Sequence, residues 1–389
     1  MKKEIIHIVT IFFVVITGGC ISEFTADLPY YDQHILVVEG NIVANSEVQF
    51  YFSRTFPMNT EEIDEYKDVE VDLFVIGSNG YRSERADYLG EGVHRVLIGE
   101  LNENETYGIE FEYQGNLYRS ELSHPLYTPV IDSVTWVQNG EYGAIGLYIS
   151  THEDSQEQTY FIWNLEEDWR FVPFYYTEYT INTRRNVVER DPAAVNYYCW
   201  KKGRNNNVLI GTSETLTENR IIDKKLIEYD ASDERFVLWY STLIKQRRID
   251  KGTYEYYLNK SKANQDMGGL FSSQPSEIES NIYCETDPSQ KVIGYIYACM
   301  NVVEKRISID RDEVTTPDRV SDCNLITWEE IYNMMEYNNF TYTDLYNSGY
   351  RPIGSEALGV LSWARVMCAD CVVAGGSLEI PDFWENENK

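Results

Sequence analysis

The chain from residue 34 to residue 124 alternates hydrophobic and polar positions with the period of β-strands. The run Val69-Glu70-Val71-Asp72-Leu73 shows this most clearly, because every second side chain would face a core. Turn motifs at Ser78-Asn79-Gly80 and Gln114-Gly115-Asn116 predict hairpins. The pattern predicts strands at His34–Glu39, Val48–Ser53, Val69–Ile76, His94–Ile98, Thr106–Tyr113 and Leu117–Leu122. Strands at this spacing are typical of an immunoglobulin-like β-sandwich, which we expect over residues 34–124.

A proline-rich segment, His124–Pro129, interrupts the pattern and predicts a domain boundary. Strand patterns resume beyond it, at Val130–Val137, Tyr142–Ser150, Thr159–Leu165 and Val292–Val303. We therefore expect residues 130–389 to form a larger, β-rich C-terminal domain with a few short helices. The fold class is mainly β.

Two segments of this second part have helical patterns. Asp250 can cap a helix near residues 250–264, with Tyr254, Tyr257 and Leu258 on its buried side. Thr327-Trp328-Glu329-Glu330 is a capping box for a helix at 327–338, whose buried face would hold Trp328, Ile331, Tyr332 and Met335. The segment Phe236–Ile249 fits either a strand or a helix, so its structure stays open at this stage.

The N-terminus has the features of an export signal. Lys2 and Lys3 precede the apolar stretch Ile5–Ile16, and small residues lead to Cys20. The end of this segment resembles a bacterial lipobox, with Thr17 where leucine is usual. We predict a lipoprotein signal peptide at residues 1–19, lipidation of Cys20, and a tether at 20–33. The alternatives are an ordinary signal peptide and an uncleaved anchor.

The composition and net charge of the chain exclude some classes of binding partner and of protein. The 389 residues include 33 Lys and Arg against 63 Asp and Glu, a formal net charge of −30. Nucleic-acid binding depends on cations that neutralise phosphates, so we predict no nucleic-acid partner. No apolar run reaches the ~18–20 residues of a spanning helix, which excludes a polytopic membrane protein. The 31 tyrosines suit strands and binding surfaces.

Signatures of catalysis are scarce. The chain has no GxSxG elbow, Walker loop, HExxH or EF-hand pattern, and its five histidines are scattered singly. We predict no catalytic residue, no metal site and no cofactor. Whether a pair of carboxylates among the 63 acids is catalytic stays open.

The cysteines predict disulfides. Beyond Cys20 there are six, an even number in an exported chain, at Cys199, Cys284, Cys299, Cys323, Cys368 and Cys371. A bridge between Cys284 and Cys299 is disfavoured, because a hairpin turning at Asp287-Pro288-Ser289-Gln290 would hold them about 20 Å apart.

By elimination, Cys199 and Cys323 become the better partners for Cys368 and Cys371. The spacing Cys368-Ala-Asp-Cys371 also occurs in redox sites and in halves of zinc sites. A redox site would open a helix, whereas Gly375-Gly376 follows here, and zinc would need a second cysteine pair. We therefore favour two structural half-cystines.

The C-terminus carries a resemblance to a known family. The motif Cys368-Ala-Asp-Cys371, then Gly375-Gly376, then Pro381-Asp-Phe383-Trp384 is similar to the ending of a Bacteroidota lipoprotein family catalogued as domain of unknown function 4249. Further motifs agree in order along the chain, with Ser280 as a minor departure where the family often has glycine. They are Leu36-Val37-Val38-Glu39-Gly40, Asp132-Ser133-Val134, Gly268-Gly269-Leu270-Phe271, Pro275, Asn281-Ile282 and Val292-Ile293-Gly294-Tyr295.

The resemblance implies an outer-membrane lipoprotein, lipid-anchored, exposed at the cell surface and often encoded beside a TonB-dependent β-barrel receptor. It implies no catalytic residue. We therefore expect a non-enzymatic accessory protein, a ligand-binding or lid subunit of a TonB-dependent transporter. The alternatives are a surface hydrolase of glycan or peptide, which would need converging carboxylates, and a structural or adhesive surface protein.

Overall fold

The structure is a computed structural model, and it describes part of the chain. The described residues are 34–56, 67–155, 157–194, 196–205, 207–214, 218–266, 280–319, 322–326, 328–338, 340–355 and 361–384. The predicted signal peptide, Cys20, the tether and the capping residue Thr327 lie outside them. From Ile35 onward the chain forms one compact unit.

Alternating side chains build the first sandwich. Its strands are β1 (Leu36–Glu39), β2 (Ile42–Val43), β3 (Glu47–Arg54), β4 (Asp72–Gly77), β5 (Asp87–Gly90), β6 (Val93–Leu97), β7 (Tyr107–Tyr113) and β8 (Asn116–Ser120). One sheet has the order β1-β3-β6-β5 and the facing sheet the order β4-β7-β8. This is the strand order of an immunoglobulin constant-type sandwich. The hairpin at Gln114-Gly115 has positive φ at both residues, as a two-residue type I′ turn requires.

A second, larger set of strands follows. They are β9 (Ile131–Gln138), β10 (Ile145–His152), β11 (Tyr160–Phe171), β12 (Tyr179–Ile181), β13 (Val187–Glu189), β14 (Cys199–Arg204), β15 (Leu209–Thr212), β16 (Arg220–Tyr229) and β17 (Trp239–Ile249). The segment Phe236–Ile249, which fitted both a strand and a helix pattern, is a strand from Trp239 onward. A single 3₁₀ turn at Glu234–Phe236 precedes it. The expectation of a mainly β fold is confirmed.

The remaining helices and strands lie between residues 251 and 365. They are α1 (Lys251–Asp266), β18 (Ile282–Cys284), β19 (Val292–Gly294), β20 (Ala298–Cys299), β21 (Val303–Asp310), α2 (Trp328–Asn338), α3 (Tyr342–Asn347), β22 (Tyr350–Ser355) and β23 (Leu361–Arg365). Short 3₁₀ turns also occur at Pro192–Ala194, Arg311–Glu313 and Val366–Cys368. No helix in these described parts is both long and apolar enough to cross a membrane.

Two sheets enclose the second core. A three-stranded sheet with the order β16-β10-β9 faces a larger sheet with the order β14-β11-β17-β21. In the larger sheet β15 also pairs with β11. Buried side chains between the two sheets include Leu147, Trp163, Tyr240 and Ile244. A smaller cluster, formed by α2, α3, β22 and the β12-β13 hairpin, packs around Ile331, Leu345 and Trp363.

The outward face of β11 is covered at both ends by different elements and is open in the middle. Tyr160 and Ile162 lie under α1, in a cluster with Ile249, Tyr254 and Tyr257. Asp168 and Arg170 lie under the C-terminal residues, where Arg306 contacts both Asp168 and Phe383 and Arg170 lies over Trp384. Between these two covers the middle of the strand stays open.

The first sandwich is completed by residues from much later in the sequence. β18 pairs with β8, while β19 and β20 pair in parallel with β1 and β2. Ile282, Val292 and Ile296 are buried in its core. The predicted sandwich of residues 34–124 therefore needs three strands that were assigned to the C-terminal domain. Parallel pairing requires a long crossover and leaves no local turn signal, which is why the alternation did not indicate it.

Three local predictions also need correction. Val292–Val303 is not one strand but three, because each piece joins a different partner. No hairpin links Cys284 to Cys299, since their strands lie in different sheets. In α2, Tyr332 is 47% exposed, whereas Met334 packs on the small cluster.

Helix α1 begins as its sequence predicts. The Asp250 carboxylate accepts hydrogen bonds from the Thr253 N–H at 2.8 Å and from its hydroxyl at 3.0 Å. Tyr254 and Tyr257 pack inward as expected, and Leu258 is partly buried. Tyr256, which the helical pattern did not select, is also buried and lies against Tyr295 with ring centroids 5.2 Å apart. Burial raises the pKa of Tyr256 to about 12.

The segment predicted as a boundary is held by side chains. The Thr128 N–H donates to Asn301 Oδ1 at 2.8 Å, and Asn301 Nδ2 donates to the Thr128 carbonyl at 3.2 Å. The Thr128 hydroxyl donates to the Asn301 carbonyl and accepts from the Arg248 N–H. Gln246 Nε2 donates to the Pro129 carbonyl at 2.9 Å. These bonds link the two sandwiches through a fixed junction.

The junction predicts a stability effect. Replacing Asn301 with Ala removes both amide bonds to the Thr128 backbone and leaves partly buried polar groups unsatisfied. We expect Asn301→Ala to lower the free energy of unfolding by about 1–3 kcal/mol, measured by urea denaturation. Asn186→Ala is the matched control, since that exposed side chain bonds no described residue, and its effect should stay within about 0.5 kcal/mol. Equal stabilities of the two variants would contradict the junction.

Candidate binding surface

The four cysteines selected from the sequence lie together at the C-terminal segment. Cys199 on β14 is bonded to Cys371, and Cys323 is bonded to Cys368, each pair with Cα atoms 5.7 Å apart. The two halves of the CxxC motif therefore bond to separate partners, rather than to each other.

The structure gives reasons for the other motif residues. Asp370 Oδ1 accepts the Val372 N–H at 2.9 Å and forms a turn inside the CxxC. Gly375 has φ +89°, and a Cβ at Gly376 would lie 2.6 Å from the Cys199 Cβ. Glycine at both positions lets the chain pass directly over the Cys199–Cys371 bond.

The last described residues bind across the second sandwich. Ser377 exchanges two backbone hydrogen bonds with Trp200, both 2.8 Å long. The Trp384 ring lies 4.9 Å from Trp200 and 4.5 Å from Trp239. The Arg306 guanidinium carbon lies 3.5 Å above the Phe383 ring. The roles of Arg306 and Arg170 at this site were missed from the sequence, because both partners are distant in sequence.

Several large apolar side chains that lie near Cys199 and Cys371 in the sequence are exposed. Tyr198 is 50% exposed and Val373 is 53% exposed, and the aromatic rings of Tyr176, Tyr197 and Tyr198 contact one another at centroid distances of 4.9 Å. We call this surface the C-terminal apolar patch and define it as Tyr176, Tyr198, Met367, Val372, Val373, Leu378 and Ile380. Exposed apolar side chains that group on a surface mark interaction sites.

A buried glutamate inside the second sandwich is held by hydrogen bonds and an ion pair. The buried Glu167 carboxylate accepts bonds from the Tyr229 and Tyr240 hydroxyls, both at 2.6 Å, and pairs with Arg235 at 3.3 Å. Burial, and then the Glu167 charge, raise the pKa of both phenols, so they stay protonated as donors. This network supplies the hydrogen bonds and the opposite charge that a buried carboxylate needs.

The neighbouring acidic residue, Asp168, faces the other side of the sheet. Asp168 lies on the opposite face of β11, 3.5 Å from Arg306, and its pKa is raised by burial. Glu167 and Asp168 therefore do not converge on a common point. No group of three or more His, Cys, Asp or Glu residues is placed to hold a metal ion in the part of the chain that the structure describes.

One histidine, His94, and the two free cysteines are buried. His94 is buried in the first sandwich, where Nε2 accepts the Val71 N–H at 3.0 Å. Burial lowers the pKa of His94, so it is neutral and carries its proton on Nδ1, towards the Gly92 carbonyl. Cys284 and Cys299 are buried and free, and burial raises the pKa of Cys299 to about 12.

The disulfides predict an oxidation-dependent stability. Cys199 and Cys371 are 172 residues apart, so their bond constrains a long loop of the unfolded chain. We expect Cys371→Ser to lower the free energy of unfolding by about 2–5 kcal/mol under oxidising conditions. The same comparison in dithiothreitol is the control, where the difference should shrink. Non-reducing peptide mapping should yield the pairs 199–371 and 323–368, and any other pairing would overturn the assignment.

Comparison with known sequences completes the description of the site. No curated protein matches the chain. The profile of a family described as "Domain of unknown function (DUF4249)" matches residues 21–306, which includes the first sandwich, its late strands and most of the second sandwich. The C-terminal motif lies beyond the matched residues. The match covers more than half of the sequence, and the chain belongs to the DUF4249 family.

Proposed function

We propose that this protein is a non-enzymatic, lipid-anchored accessory subunit of a TonB-dependent transporter in the outer membrane, at the cell surface. Its C-terminal apolar patch docks against the β-barrel, and the protein acts there as a ligand-binding or lid subunit. The observation that carries the proposal is the patch itself, an exposed group of large apolar side chains held on a disulfide-bonded segment.

The physical setting supports this assignment. A lipid on Cys20 would confine the protein to the membrane plane and raise its effective concentration beside a barrel, so a modest patch is sufficient for binding. The Cys199–Cys371 and Cys323–Cys368 bonds order the patch in advance, which reduces the entropy lost on binding. A hydrolase would need converging carboxylates, and the neighbouring acids Glu167 and Asp168 face opposite sides of β11.

The anchor is tested by removing the acceptor thiol. We expect Cys20→Ala to move the protein from the membrane fraction to the soluble fraction, because no acyl chain can then be attached. Immunoblotting of fractionated cells measures the ratio, and Thr25→Ala is the control that keeps the cysteine. Continued retention of Cys20→Ala in the membrane would contradict lipid anchoring at this residue.

The docking surface is tested by introducing charge into the patch. We expect Val373→Asp and Leu378→Asp to reduce recovery of the barrel with the tagged protein by at least about tenfold, because a buried unpaired carboxylate opposes binding. The readout is quantitative mass spectrometry of gently solubilised membranes. Leu97→Asp is the matched control, since Leu97 is 73% exposed but belongs to the first sandwich.

Two results would overturn the docking proposal. One is recovery of the wild-type protein without any barrel, which would favour a free-standing adhesive or structural protein. The other is equal loss of the barrel in the Leu97→Asp control, which would show that the patch has no special role.

A further inference from the structure

A groove separates the outward faces of the two sandwiches. It occupies about 970 Å³, within the range of ligand-binding sites. One wall is the outward face of β3, where Gln49 and Tyr51 alternate with buried residues. The other is the uncovered middle of the large sheet, where Asn164 on β11 and Arg247 on β17 lie between α1 and the C-terminal residues.

The acids that line the groove have partners. Glu166 and Glu304 both pair with Lys245, at 2.8 and 3.5 Å. On the opposite wall Glu47 pairs with Arg95 at 3.8 Å, and Glu39 pairs with Lys260. Each acid of the groove thus has a cationic partner, although Glu166 and Glu304 share one lysine and Arg95 also pairs with Asp87.

Two cations of the groove lack such compensation. Arg247 Nη1 donates to the neutral Asn164 Oδ1 at 2.7 Å, while its Nε is buried and has no acceptor. Arg204 is exposed and forms no ion pair with any residue that the structure describes. A buried donor without an acceptor is costly, and a guanidinium fork matches a carboxylate. The guanidinium groups of Arg204 and Arg247 are thus the cations of the groove for which the described residues supply no acidic partner.

The first-sandwich wall offers neutral donors and acceptors. The side chains of Asn41 and Asn45 make no hydrogen bond within the described parts of the chain, and both line the groove. Tyr51 is 38% exposed and is oriented by a 2.8 Å bond from its hydroxyl to Gln49 Oε1, which leaves the Gln49 amide nitrogen free to donate. Amides and an aromatic face suit a ligand rich in hydroxyl groups.

We propose that this groove binds an acidic oligosaccharide. Arg204 and Arg247 bind its carboxylates, and Asn41, Asn45 and Gln49 bind its hydroxyls. A peptide strand is less suited, because both walls are sheet faces rather than free strand edges on which it could add hydrogen bonds. The inference deepens the ligand-binding part of the proposed function, and it does not depend on docking to a barrel.

The experiment measures binding to the full-length chain purified in detergent. The probe is tetragalacturonate, titrated by calorimetry, with neutral cellotetraose and tetraglutamate as ligand controls. We expect Arg204→Gln and Arg247→Gln each to weaken tetragalacturonate binding about tenfold, the typical effect of losing a carboxylate-binding guanidinium. Arg184→Gln is the matched control, since it removes the same charge from an exposed residue outside the groove and should leave binding unchanged.

Each possible result either supports or overturns the proposed ligand. Tenfold losses in both groove variants, with cellotetraose and tetraglutamate at least tenfold weaker, support the acidic oligosaccharide. No binding of tetragalacturonate at millimolar concentration, equal binding of either control ligand, or an equal loss in Arg184→Gln overturns it. Arg204 is exposed and unpaired, so Arg204→Gln remains informative if Arg247→Gln unfolds. Because the barrel is absent from this assay, its result is independent of the docking experiment.

Discussion

The arrangement of the molecule depends on the return of residues 280–302 to the first sandwich. Asn281 holds this segment in place, since its side chain bonds both the carbonyl and the N–H of Ile296, at 2.7 and 2.8 Å. The Glu121 N–H donates to the Asn281 carbonyl at 2.7 Å and links the segment to the end of the first sandwich. The chain then passes through Asn301 into β21 of the second sandwich. The first sandwich can therefore not form its complete set of strands without β18, β19 and β20, which lie between β17 and β21 of the second sandwich in the sequence.

This shared construction defines the surfaces that are available for binding. The large sheet of the second sandwich exposes an outward face that is covered at one end by α1 and at the other by Phe383 and Trp384. The first sandwich faces the uncovered middle. The groove is thus a consequence of incomplete cover, and its width depends on the Thr128–Asn301 junction.

Local signals in the sequence predicted the strands well, because alternation and turn residues act over a few positions. The hairpin at Gln114-Gly115 and the Asp250 cap formed as expected. Elements that depend on distant partners could not be read in this way. The segment 292–303 is apolar because its pieces pair with β1, β2 and β17, so its composition indicated a strand without revealing three. Likewise, nothing local to Arg204 or Arg247 shows that they face β3.

The sequence predicted the disulfide-bonded cysteines, but it did not predict the C-terminal apolar patch. Counting cysteines led to Cys199, Cys323, Cys368 and Cys371, although the hairpin assumed in that argument does not form, because Cys284 and Cys299 lie in strands of different sheets. The patch was not predicted, since exposure of Val373 and Leu378 depends on how the C-terminal segment crosses Trp200.

A ligand in the groove would act on the stability of the fold. Arg204 and Arg247 belong to the second sandwich, whereas Asn41, Asn45 and Gln49 belong to the first. A single oligosaccharide that contacts both sets would bridge the sandwiches beside the junction, and its binding energy would add to that of the Thr128–Asn301 bonds. Since the patch lies on the second sandwich and the groove spans both, occupancy of the groove would stabilise the sheet that supports the docking surface.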